Sequence, residues 1–262
     1  MKIASTLAWL RQHETIHVGD ILLGIVVLGE GMGYTALQAA GVDINVLRHK
    51  LHPLPIDEYV PAPKLPLDGK SQRVLEQAWA ESKTLGDDYV GTEHLCIAIS
   101  RSNDEPAILM HSMGATADEL QVHTLLFQAP YLEYIGEFER SRDKYKLALA
   151  LAPNHPSANG DYAWMLSTCR HPSFRDGQRA VFLANEACQL TNFKRASCLD
   201  TLAAAYAEVG DFENAVNFAT RAIAIASPER LDECAKRLEL YRQKLPYRWV
   251  STETPDQSTE IV

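Results

Sequence analysis

Two stretches of this chain, about 74 residues apart, carry the same punctuation. The first reads Asp20-ILLGIVVLGEGMGYTALQAAGVDINVLRHKL and the second His94-LCIAISRSNDEPAILMHSMGATADELQVHTL. In each, an apolar helical run gives way to a polar turn, a second short helix, a glycine (Gly41, Gly114) and a new helix behind a cap. Asp43 stands before residues 44–51. Thr116, with Glu119 three residues on, forms a capping box in which hydroxyl and carboxylate each satisfy a free backbone donor of the first turn. Apolar residues recur every three to four positions, so the spacing predicts an all-α chain. Each four-helix unit then buries its apolar stripe against its twin, an arrangement that points to binding rather than reaction.

The word GTEHL at 91–95, preceded by a predicted helix from about Ser71 to Leu85, resembles the double repeat at the N-terminus of Clp-type AAA+ unfoldases. In that family each repeat starts a helix on T-E-H-L-L-L-G-L, turns on G-E-G and passes L-G-V before its last helix. Leu22, Leu23, Gly24, Gly29, Glu30, Gly31, Gly41 and Val42 supply the later parts in copy one. Thr92, Glu93, His94 and Leu95 supply the start in copy two. The resemblance covers residues 1–127 and is degraded in copy one, where Val18, Gly19 and Asp20 replace Thr, Glu and His and the leading helix shrinks to residues 1–13.

The resemblance implies a double four-helix repeat, protein or peptide partners, and a surface pocket at Thr92, Glu93 and His94. There the family's glutamate receives the guanidinium of arginine or phosphoarginine. A carboxylate exposed at a helix start suits a planar, multiply donating group, so Glu93→Lys is expected to replace attraction by repulsion without unfolding the chain. The plainer role is to stabilise its own helix by a few tenths to about 1 kcal/mol. Asp68 stands where the family has a threonine, and is expected beside this pocket, repelling a phosphate; arginine or another peptide is therefore the expected ligand. Gly19 removes the matching carboxylate from copy one.

The second half has a pattern of its own. Leu199, Leu202, Ala203, Tyr206, Gly210, Phe212, Ala215, Ala219, Ala222 and Pro228 match tetratricopeptide spacing, in which small residues let paired helices approach closely. Gly136, Phe138, Tyr145, Ala148 and Pro153 repeat its second half upstream. Residues 163–168 with Ala180, Ala184 and Ala187 make a middle copy, lengthened by a loop over 169–177. The expected organisation is a Clp N-type domain over 1–127, a short solenoid over 128–248 closed by a helix at 231–245, and a disordered tail at 249–262. Five prolines in residues 52–66 predict an extended connector between the two Clp-like repeats. Asp200 and Glu208 tilt the last repeat's groove acidic, against a site that clamps C-terminal carboxylates.

Composition narrows the function. The 262 residues are 46% apolar and 23% charged, which suits two globular domains. The longest apolar run, residues 21–28, is too short to span a bilayer, and residues 3–10 run straight into Arg11, Gln12 and His13 with no cleavage site, which reads as helix rather than signal peptide. Cys96, Cys169, Cys188, Cys198 and Cys234 are odd in number and form no CxxC pair, as expected of reduced thiols in the cytoplasm. A net charge of -9 without a Lys/Arg cluster argues against nucleic acid. There is no GK[ST] phosphate loop and no G-x-S-x-G elbow, and Cys169 with His171 lacks a third partner, so neither nucleotide nor cofactor is expected.

One word points to an enzyme instead. His13-Glu14-Thr15-Ile16-His17 is an HExxH, which on a helix faces two imidazoles toward zinc while the glutamate activates water. Only twelve residues precede it, Gly19 breaks the helix after it, and Leu23 sits where a third histidine would stand. A third ligand would have to come from Glu30 or Glu58. The expectation is a non-catalytic adaptor without metal, its histidines at a helix end beside a turn; the alternative is a zinc-dependent hydrolase using His13, Glu14 and His17.

Overall fold

The computed structural model describes residues 1–52 and 63–249. Most of the proline-rich connector and the tail beyond Trp249 lie outside the described residues. Two units emerge, Met1–Phe127 and a second that begins at Gln128. Their elements among the described residues are fourteen α-helices and one 3-10 turn.

The first unit runs α1 (Lys2–Leu10), α2 (Val18–Leu28), α3 (Met32–Ala39), α4 (Ile44–Leu51), α5 (Gly69–Leu85), α6 (Thr92–Arg101), α7 (Glu105–Ser112) and the start of α8 (Ala117–Tyr134), which is four helices per copy. The copies end their third helices alike: Gly41 and Gly114 take φ of 84° and 93°, a left-handed turn that a side chain resists. Asp43 caps α4 as read, accepting from the amides of Asn45 and Val46 at 3.0 Å. The core lies around α2 and α6, the matching helices of the two copies, which touch each other. Ile21, Leu22, Leu23, Ile25 and Val26 face inward from one, Cys96, Ile97 and Ile99 from the other. Leu22 and Leu23 are fully buried, each worth roughly 2 kcal/mol.

Two close approaches fix how these helices pack. A Cβ on Gly24 would stand 3.3 Å from the Ala4 amide, so α1 and α2 meet nearly backbone to backbone. A Cβ on Gly33 would stand 2.5 Å from the Thr92 carbonyl oxygen, so the start of α3 lies directly on the start of α6. The buried Ser5 on α1 donates to the Pro63 carbonyl and accepts from the Leu65 amide, which ties down the chain leading into α5.

The leading helix departs from the sequence expectation. It stops at Leu10 rather than near His13, and Gln12 turns the chain at φ 59°. Residues 13–17 are then non-helical, and Ile16 makes a parallel bridge with Leu67. The Ile16 amide donates to the Pro66 carbonyl at 2.8 Å and the Asp68 amide to the Ile16 carbonyl at 3.1 Å. The HExxH word is therefore not on a helix face.

The second unit continues with α9 (Phe138–Leu151), α10 (Pro156–Thr168), α11 (Gly177–Leu190), α12 (Ala196–Glu208), α13 (Phe212–Ile225) and α14 (Pro228–Arg242), with a single 3-10 turn, Pro172–Phe174, in the 169–177 loop. Neighbouring helices pair, α10 with α11 and α12 with α13, and α10 also meets α12. Ala203 and Ala207 join Ala215 and Ala219 in one buried cluster, the close approach that their small size permits. Asp200 does not make the groove acidic as the sequence suggested. It is 1% exposed and receives the Arg237 guanidinium at 3.1 and 2.7 Å, with Trp164 and Tyr247 stacked against that guanidinium. Glu208 is likewise held between Arg175 and Arg248.

Candidate functional site

The T-E-H start of α6 is turned inward. Thr92 Oγ1 accepts from the Gly33 amide at 3.0 Å and clamps α3. His94 is fully buried; its Nδ1 accepts from the Gly91 amide at 3.0 Å, so Nε2 carries the proton and donates to Asp87 at 3.1 Å. That ring staples the turn before the helix. The Glu93 carboxylate folds back over Gly91 into the space a Cβ would need there, so a side chain at 91 would have to displace it. Glu93 is 3% exposed and is not the surface acceptor that the resemblance implied. Its Oε1 stands 3.3 Å from His94 Nδ1, whose lone pair is already taken, and no donor among the described residues reaches that oxygen.

The start of α2 uses a different residue for the same task. Asp20, fully buried, occupies the position of His94, and its Oδ2 accepts from the His17 amide at 2.9 Å just as His94 accepts from Gly91. Oδ2 also takes His13 Nδ1 at 3.0 Å, and Oδ1 takes Arg11 at 2.7 Å. The rings of His13 and His17 lie 4.3 Å apart. One ligand atom from each of His13, His17 and Asp20 falls within 4.8 Å of the others. The sequence signal for Asp20 was its alignment with His94 as the third residue of a helix, a capping position. Glu30 is absent from this group and Glu58 lies outside the described residues.

Asp68 and Thr92 line different cavities. Asp68 caps α5, accepting from the Ser71 amide at 2.7 Å. Burial by itself would raise its carboxyl, but the Ser71 amide and hydroxyl, with His17 nearby, hold it below the ordinary value. Asp68 lines a cavity of about 370 Å³ with Arg11, His13, His17, Gly19 and Glu105. Thr92 lines another, of about 450 Å³, with Ile3, Ile21, Ile25, Leu28 and Leu95. The first has several charged side chains in its wall and lies at the start of α2. The second is an apolar groove between α1, α2 and the first turn of α6.

Comparison with known proteins places these features in a family. Residues 1–113 match the Clp repeat (R) N-terminal domain. The chaperone protein ClpB of Oceanobacillus iheyensis is 27% identical over 114 residues, which is 43% of this chain and 14% of that protein. An ATP-dependent Clp protease ATP-binding subunit ClpA homolog of Trieres chinensis is 30% identical over 131 residues, 48% of this chain and 14% of that protein. The negative regulator of genetic competence ClpC/MecB of Bacillus subtilis is 27% identical over 114 residues, again 43% and 14%. The chain thus spans about one seventh of the length of these relatives. With the matching α2 and α6, the repeated glycine turns and the shared helix-start device, residues 1–113 are a Clp repeat (R) N-terminal domain.

Proposed function

We propose that this chain is a non-catalytic protein-interaction module, an adaptor or scaffold of Clp-linked protein quality control in the cytoplasm. The observation that carries this reading is the apolar groove of the Clp repeat domain, lined by Ile3, Ile21, Ile25, Leu28 and Leu95. Its occupant is a segment of a partner protein that presents aliphatic or aromatic side chains, and Leu28, 41% exposed, is the contact open to it. Recognition of that kind draws on burial of apolar surface rather than on a carboxylate–guanidinium pair, in keeping with the inward turn of Glu93. The second unit is a tetratricopeptide-like solenoid that offers a further binding surface. Two binding units on one chain raise the effective concentration of one partner near another.

Fluorescence anisotropy with labelled, carboxymethylated α-lactalbumin, a permanently unfolded chain, tests the groove. Leu28→Glu and Leu95→Glu introduce a charge where an apolar side chain should dock and are expected to weaken binding at least tenfold, while circular dichroism stays unchanged. Binding that is absent in the parent protein, or equal in all three, would remove the groove from the account.

A further inference from the structure

The HExxH word has no helix to make it a zincin, yet the fold gathers its two histidines around a buried carboxylate. We propose that His13, His17 and Asp20 form a binding site for a divalent transition-metal ion of the zinc class. All three are neighbours at the start of α2, with ligand atoms within 4.8 Å of one another. His13 Nδ1 and Asp20 Oδ2 stand 3.0 Å apart, close to the edge of about 3.3 Å that tetrahedral zinc ligands at about 2.0–2.1 Å would span. A metal ion takes the place of the proton between those two atoms; in the neutral imidazole that proton moves to Nε2, which leaves Nδ1 free to ligate.

The surroundings suit a cation. Arg11 holds the other oxygen of Asp20 at 2.7 Å and so fixes the orientation of the ligand carboxylate, as an outer partner does in metal sites. The adjoining cavity of about 370 Å³ leaves room for water in an open coordination position. Its two lysine and arginine cations are each paired with a carboxylate, Arg11 with Asp20 and Lys70 with Asp104. Asp68 and Glu105 add negative charge to the same wall. Glu14 is exposed on the non-helical turn, and binding is proposed without hydrolysis. Two imidazoles and one carboxylate select zinc, nickel or copper over calcium or magnesium, which prefer all-oxygen sites.

Calorimetric titration of the metal-free full chain with zinc chloride at pH 7.5 tests this, with Co²⁺ as a spectroscopic probe of coordination. One ion per chain at micromolar affinity is expected, with visible Co²⁺ bands of a low-coordinate site. His17→Ala should weaken binding at least tenfold; because His17 caps α2 through its backbone amide, this variant keeps its fold. His13→Ala should do the same, whereas the exposed His49→Ala should change nothing. No binding below 1 mM, or binding that His17→Ala leaves intact, would overturn the site.

Discussion

Glu133, in the last turn of α8, is a carboxyl group buried among hydroxyls. It is 7% exposed, and its Oε1 accepts from Tyr145 at 3.0 Å and from Ser141 at 3.5 Å. Burial pushes its pKa up to about 7 from an ordinary 4.5; the two hydroxyl donors pull it down and Asp161 adds to the rise. The native state therefore binds a proton that the unfolded chain releases between these two values. Stability from this group is fully present below pH 4.5 and is lost as pH rises through about 7. The gap corresponds to at most about 3 kcal/mol. Glu133→Gln keeps the shape and the acceptor oxygen while removing the charge. It should leave stability near pH 4.5 unchanged and raise it at pH 8 by about 2–3 kcal/mol. Hydrogen exchange of amides in α9 and α10, corrected for intrinsic rates at each pH, reads this locally. Equal protection of the two proteins at pH 8, or a larger gain at low pH than at high, would refute the reasoning.

Three other substitutions probe the framework. Gly33→Ala drives a methyl group into the Thr92 carbonyl, which is backbone and cannot swing aside; a loss of about 1–3 kcal/mol or more is expected in thermal unfolding, because overpacking must move α3 off α6. Glu93→Gln removes a buried charge whose Oε1 has no donor and should be neutral or stabilising in a urea titration, whereas Glu93→Lys should unfold the first unit rather than merely alter binding. Arg237→Met leaves Asp200 as an unpaired buried carboxylate and is expected to cost about 3–5 kcal/mol, and adding Asp200→Asn should recover much of it, a comparison read from a double-mutant cycle by denaturation.

Helix placement was legible in the sequence because its signals act over a few residues. Asp43 announced α4, and the spacing of Ala203, Ala207, Ala215 and Ala219 announced the close pairing of α12 with α13. Gly41 and Gly114 marked equivalent turns in the two copies. Such features follow from caps, backbone freedom and side-chain volume, none of which needs a distant partner. The direction in which a charged side chain points is set otherwise. Glu93 looked like an exposed acid of a first helical turn, yet α3 lies over that turn through Gly33 and closes it from water. Asp200 read as an acidic groove residue until Arg237, 37 positions away, came to it. His13 and His17 stood at helical spacing, but the Ile16–Leu67 bridge and the pull of Asp20 hold that stretch out of the helix and bring both rings to one carboxylate. Local chemistry thus determined where the helices are, and only tertiary structure decided which polar groups they bury, because that burial depends on contacts between elements far apart in the chain.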